Sequence, residues 1–163
     1  QQAAKLAFEI ERRLAFIKSN LPSQNTVKPL VLALSRFSDI YVAGEGSIEG
    51  GIIEAAGAIN VAEKVGIHGH QTVSIESIVA MNPEIILITQ EKESAEILAQ
   101  DLSSHPALTN VPAIHNGRIF FADPTYYTTL SHWNVRGVEE SAKVFFPTNF
   151  KDITFYDFSS PGN

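Results

Sequence analysis

Short buried-type runs alternate along this chain with segments of helical spacing. Leu6, Ile10, Leu14 and Ile17 fall on one face of a helix over residues 2–20, with Glu9, Glu11, Arg12, Arg13 and Lys18 mostly elsewhere. Leu21-Pro22 and the polar residues 23–26 end it. Residues 30–34, LVLAL, read as a buried strand, and residues 40–43 as a second extended piece. Ser47 is placed to cap a helix carrying Ile48, Ile52, Ile53 and Ala56, with Gly57 as its stop. Ser74 caps another that carries Ile75, Ile78, Val79 and Met81. Asn82-Pro83 stops that helix, because proline restricts the residue before it and cannot extend the hydrogen-bond ladder. Residues 84–89 then give a β-branched run of the kind found in buried parallel strands.

Further on, residues 92–103 predict a helix with Ile97, Leu98 and Leu102 inward, and Asn116-Gly117 predicts a turn feeding the short strand Ile119-Phe120-Phe121. His105, before Pro106, reads as a turn or capping residue. Ser131 or Asn134 is expected to cap a last helix, with Val135, Val138, Ala142 and Phe146 on its core face before Pro147. Residues 152–163 are expected to form a mobile tail. Strands alternating with helices imply an α/β domain, and 163 residues suffice for one with a sizeable core.

Charge and composition narrow the function. Twelve basic against eighteen acidic residues give a net charge of -6, and no Lys/Arg cluster is long enough to track a phosphate backbone, which argues against a nucleic-acid partner. The absence of cysteine excludes a disulfide framework, a thiolate metal site and a cysteine nucleophile. No apolar run reaches the roughly eighteen residues of a bilayer span. The first residues, QQAAKLAFEIERRL, lack the order of a secretion signal, so either the protein is cytoplasmic or an upstream segment is missing.

Candidate chemistry sits in loops. The glycine-rich stretch 44–60 fails as a dinucleotide fingerprint, because Glu49 stands where a third glycine is required and Glu45 would repel a pyrophosphate. It has no Walker lysine, and Ser47 lacks the glycines of a nucleophile elbow. No paired acid and base emerges either, so enzyme chemistry is not expected. Arg36 and Phe37 lie in a loop at a strand end, where open α/β sheets bind ligands. Residues 61–70 read as a loop in which His68 and His70, two apart, point to one side of an extended backbone and reach one ligand or one metal. Tyr126, Tyr127, His132 and the single tryptophan, Trp133, concentrate aromatic and imidazole groups after the last strand. Such groups suit a large, flat or partly apolar ligand, and phenolate or imidazole ligates ferric iron in haem.

Four segments together resemble a known family. GEGSIEGGIIEAAGAIN, VSIESIVAMNPEIILI, the passage from His105 through Asn116-Gly117-Arg118, and VRGVEESAKVFFPTNF are similar, in order, to segments of the carboxy-terminal lobe of periplasmic substrate-binding proteins. These serve ABC importers of iron-siderophores, haem and cobalamin. The resemblance implies a three-layer α/β/α lobe with a mainly parallel central sheet, one lobe of a two-lobed protein. Residues 1–22 would be the leading inter-lobe helix, 23–150 the lobe, and 151–163 a tail. It implies a solute carrier rather than an enzyme, with no covalent cofactor, holding an iron complex (a ferric siderophore or haem) against an amino-terminal lobe missing from this chain. Cobalamin, or zinc or manganese at His68 and His70, are the alternatives. It also implies an ABC permease and its ATPase as partners, with Glu76 docking on the permease, and a periplasmic or lipid-anchored location with the signal upstream. Ligand candidates are Arg36, Phe37, His68, His70, Tyr126, Tyr127, His132 and Trp133.

Overall fold

The computed structural model describes residues 1–158. Among them six strands form one sheet: β1 (Leu30–Arg36), β2 (Ile40–Ala43), β3 (Ile59–Asn60), β4 (His70–Thr72), β5 (Ile85–Ile88) and β6 (Ile119–Phe121). The order is β4-β2-β1-β5-β6, with β3 also paired to β1. β1 runs parallel to β3 and β5, and β5 parallel to β6, while β2 is antiparallel to both β1 and β4. The sheet is therefore mainly parallel, with β2 as the reversed strand.

Side-chain alternation in the two central strands produces the layers. Val31, Ala33, Ile85 and Leu87 pack on one face against α1 (Gln2–Asn20), α2 (Ile48–Ala55), α8 (Asn134–Phe145) and α9 (Pro147–Phe150), through Ile17, Ile52, Ile53, Val138, Ala142, Phe145 and Phe150. Leu32, Leu34, Ile86 and Ile88 pack on the other against α3 (Val61–Lys64), α4 (Ile75–Met81) and α5 (Lys92–Ser104), through Val61, Ile78, Met81, Leu98 and Leu102. Each large apolar side chain buried this way contributes about 1.5–3 kcal/mol before entropy is counted. The result is the three-layer α/β/α sandwich. A 3₁₀ turn (Pro106–Leu108), α6 (Pro112–His115) and α7 (Pro124–Tyr127) complete the connections.

Local signals hold where they depend on neighbours in sequence. Ser47 accepts from Gly50 N–H and Ser74 from Ser77 N–H, and His105 Nδ1 accepts from Ala107 N–H to cap the 3₁₀ turn. Asn82 ends α4 in the left-handed conformation, at φ 51°. The structure differs elsewhere. The buried side chains of α1 are Arg13 and Ile17, and Leu14 is part-exposed, so the helix is rotated from the face its apolar residues predict. Val79 and Ile97 face solvent. Residues 61–70 contain α3 and the start of β4 rather than a continuous loop. Neither Ser131 nor Asn134 caps α8 by bonding into its first turn. Instead Asn134 Oδ1 accepts from Ser131 N–H, and its amide donates to the carbonyls of Tyr126 and Thr129, fixing the loop between α7 and α8.

The described part of the expected tail makes contacts with the lobe. Arg13 Nη2 donates to Tyr156 O (2.7 Å) and Arg136 Nη1 to Phe155 O (2.9 Å), while Phe155 lies edge-on to Phe16. The rest of the predicted tail, residues 159–163, falls outside the described part.

Candidate functional site

The C-terminal ends of the parallel strands share one edge of the sheet, because Ile88 of β5 is in register with Leu34 of β1 and Phe121 of β6. Arg36, Gln90 and Asp123 follow at that edge. Arg36 N–H donates to Gln90 Oε1 at 2.7 Å, joining the ends of β1 and β5. The Arg36 guanidinium is paired with Asp101 at 2.7 Å. Phe37 is 84% exposed and meets only the edge of Tyr41 among ring partners, at 6.3 Å between centroids. Tyr41 pairs in β2 with Thr72 of β4, so this aromatic pair stands on the same edge. Concavities of about 470 and 460 Å³ lie at the opposite edge, around Leu21, Lys28 and Glu54. The strand C-terminal edge carries Arg36, Phe37 and Tyr41 on one wall.

His68 and His70 do not converge. The residue between them, Gly69, has φ +62°, a left-handed conformation that breaks the extended alternation on which a shared direction depends. Each imidazole holds its own carboxylate: His68 Nδ1 is 2.6 Å from Glu45 Oε2, and His70 Nε2–H donates to both oxygens of Glu49 at 3.0 and 3.1 Å. Glu49 is 3% exposed while the His70 ring is half-exposed, so a buried acceptor orients a ring that reaches solvent. The backbone frames the pair: Gly44 N–H donates to Gly69 O and Glu45 N–H to Ile67 O. Among the described residues no three His, Asp or Glu side chains converge as a metal site.

The third group follows β6. Asp123 caps α7, accepting from Thr125 N–H at 2.9 Å. Tyr126 stacks obliquely on Trp133, with centroids 6.1 Å apart, and Trp133 on exposed His132 at 5.0 Å. Burial pushes the Tyr126 phenol above its ordinary value, and the carboxylates of Glu140 and Asp123 push it further, so Tyr126 stands as a neutral hydroxyl. Tyr127 must be removed from the ligand candidates. It is 2% exposed, its hydroxyl donates to Gly137 O at 3.0 Å and lies 2.7 Å from Ser141 Oγ, and burial raises its phenol strongly. In a one-turn helix, adjacent residues point about 100° apart, and here one tyrosine enters the core while the other stays at the rim.

Glu76 is exposed on the first turn of α4, behind the Ser74 cap. Sequence reasoning did not select Tyr41, Glu45, Glu49, Gln90 or Asp123. In the sequence Glu45 and Glu49 read only as obstacles to phosphate, and the register that brings Tyr41 and Gln90 to the edge is long-range. No hydrogen bond or ring contact links the three groups to one another among the described residues.

Residues 1–126 match the family described as periplasmic binding protein. A curated relative from Bacillus subtilis (strain 168), the uncharacterized ABC transporter substrate-binding lipoprotein YvrC, is 24% identical over 135 residues, which are 83% of this chain and 41% of that protein. The apo form of the periplasmic heme-binding protein RhuT from Roseiflexus sp. RS-1 is similar with a TM-score of 0.79 at 26% identity, over 91% of this chain and 57% of that one. The periplasmic heme-binding protein HutB of Vibrio cholerae shares the fold, with a TM-score of 0.77 at 22% identity over 90% of this chain and 57% of that one. The chain spans about half the length of these proteins.

Proposed function

We propose that this chain, which belongs to the periplasmic binding protein family, is one lobe of the solute-capturing component of an ABC importer. Its cargo is an iron complex, haem or a ferric siderophore, held between this lobe and a second lobe. The observation that carries this reading is the His70–Glu49 pair. A buried carboxylate fixes the ring through Nε2–H and leaves the Nδ1 lone pair to face a ligand, the arrangement that orients imidazole ligands toward a metal and raises their basicity. Similarity to RhuT supports haem within the iron-complex class.

Arg36, Phe37, His68, Tyr126, His132 and Trp133 supply further polar and aromatic contacts, with Tyr41 beside Phe37. Tyr126 offers a neutral hydroxyl at the rim, its phenol raised by burial and by the carboxylates of Glu140 and Asp123. Capture is non-covalent: two walls closing on the cargo exclude water and strengthen each polar contact. Delivery goes to a membrane permease driven by an ATPase, on the outer side of the cytoplasmic membrane. Glu76, an exposed carboxylate at a helix start, docks on a basic residue of the permease.

Titration of the full-length protein with hemin and with a panel of ferric siderophores, followed by absorbance, tests the reading. Saturable binding to one of them, weakened at least about tenfold by His70→Ala, is expected. A folded protein that responds to none of them refutes it.

A further inference from the structure

His132 and Trp133 sit on the loop between α7 and α8, yet their far side is covered by a segment from the end of the chain. Phe158 meets His132 edge-on at 5.3 Å and 79°, and Trp133 at 5.4 Å and 82°. The guanidinium of Arg13, from α1, lies 4.3 Å from the Phe158 ring centroid. That guanidinium is itself immobilised, since Nε and Nη2 donate to the two oxygens of Glu139 at 2.6 and 2.7 Å, and Nη2 also donates to Tyr156 O. Residues 152–158 are therefore strapped across α1 and α8 by two backbone acceptors, Phe155 O and Tyr156 O, and end against exposed His132 and half-buried Trp133.

We propose that Phe158 and Arg13 are positioning residues for His132 and Trp133: the strap fixes the angle of both rings before cargo arrives. The inference rests on the reading that these two rings touch the iron complex. Edge-to-face contact is the favoured geometry for aromatic pairs, and Phe158 makes it with both rings at once. A cation held over its face by a buried carboxylate keeps Phe158 from swinging away. Ordering the wall in advance removes an entropy cost that cargo binding would otherwise bear.

Trp133, the chain's single tryptophan, reports the outcome directly. In Phe158→Ala, Trp133 emission is expected to move to longer wavelength and its quenching by acrylamide to rise, with far-UV circular dichroism unchanged. Phe158→Tyr, which keeps the ring, is expected to restore both to wild-type values. Hemin affinity of the full-length protein is expected to weaken roughly two- to twelvefold in Phe158→Ala, the range set by losing an aromatic pair, and to recover in Phe158→Tyr. Unchanged emission and quenching in Phe158→Ala overturn the inference, as does equal disturbance by Phe158→Tyr. Unchanged hemin affinity in Phe158→Ala, from a wild type that binds hemin, also overturns it. A wild type that binds neither hemin nor any siderophore refutes the proposed cargo instead, and the strap is then judged on emission and quenching alone.

Discussion

Replacing Glu139 by glutamine tests how α1 is joined to the lobe. Glu139 is fully buried and Arg13 is 7% exposed, and the two meet in a bidentate pair at 2.6 and 2.7 Å. Arg136 Nη1 lies 3.6 Å from the same carboxylate. Glutamine keeps the shape, so no cavity forms, but it removes the formal negative charge bonded to the buried Arg13 guanidinium. Breaking one partner of a buried pair costs about 3–5 kcal/mol, mostly the desolvation of the charge left behind. At roughly 2–4 °C per kcal/mol for a chain of this size, Tm should fall by about 6–20 °C. The double variant Arg13→Met/Glu139→Leu replaces both charges with apolar groups. Its loss should be smaller than that of Glu139→Gln, with about 1 kcal/mol remaining for the lost bond to Tyr156 O. Urea unfolding followed by far-UV circular dichroism measures both. A cost for Glu139→Gln below about 1 kcal/mol would mean that the pair behaves as a solvated surface bridge. A double variant as unstable as the sum of its singles would mean that the two side chains are not coupled. Either result refutes the reasoning.

Tyr127→Phe should cost about 1–3 kcal/mol, because Ser141 Oγ and Gly137 O lose a buried partner, while hemin affinity stays at the wild-type value; a weakened affinity would return Tyr127 to the ligand site. Gly44→Ala places a Cβ 2.1 Å from Ile67 O, a backbone atom with nowhere to move, and should cost about 3 kcal/mol or more by urea unfolding. A loss under about 0.5 kcal/mol would show that the backbone around Ile67 yields. Burial raises the Glu140 carboxyl against the pull of Arg136, with Asp123, Glu139 and Asp157 adding to the rise. The folded protein then holds this proton more tightly than the unfolded chain, so the group costs stability as pH climbs from the ordinary carboxylate range through its raised value. The stability gain of Glu140→Gln over wild type should grow across that interval and level off above it, and a gain independent of pH would contradict the assignment. Glu76→Ala should leave stability within about 0.5 kcal/mol and cargo affinity unchanged, while lowering uptake in reconstituted transport; unchanged uptake would remove Glu76 from the docking surface.

The parts of the fold that were legible in the sequence are those decided within a few residues. Ser47 and Ser74 cap as expected, because a cap needs only the amide three positions on. The runs 30–34 and 84–89 read as buried strands because both faces of a central strand are covered, and the structure sends alternate residues of each run to opposite cores. The orientation of α1 was not legible. Its apolar residues alone put Leu14 inward, whereas the structure buries Arg13, whose partner lies 126 residues away. A charged side chain enters a core only when its counter-charge is already there, and no local pattern carries that information. The same holds for Tyr126 and Tyr127: the choice between rim and core is made by Gly137 and Ser141 of α8, which receive only one of the two rings.

The site follows the same division, with Glu49 as the instructive residue. Sequence reasoning gave Glu49 a negative role, as the side chain that spoils a phosphate fingerprint at the start of a helix. The structure supplies the positive role of that exclusion. An anion-binding helix start needs free N–H groups and no competing carboxylate. Here Ser47 takes one of those amides, and Glu49 sits buried in the first turn, favoured there by the helix dipole. Its carboxylate offers both oxygens to His70, so the first turn of α2 supports an imidazole. Under the proposed function, cargo would be selected through the free imidazole nitrogen and the surrounding rings rather than through phosphate recognition. It follows that Glu49→Gln, which keeps one acceptor but loses the charge, should weaken hemin binding less than His70→Ala and leave every phosphate ester unbound.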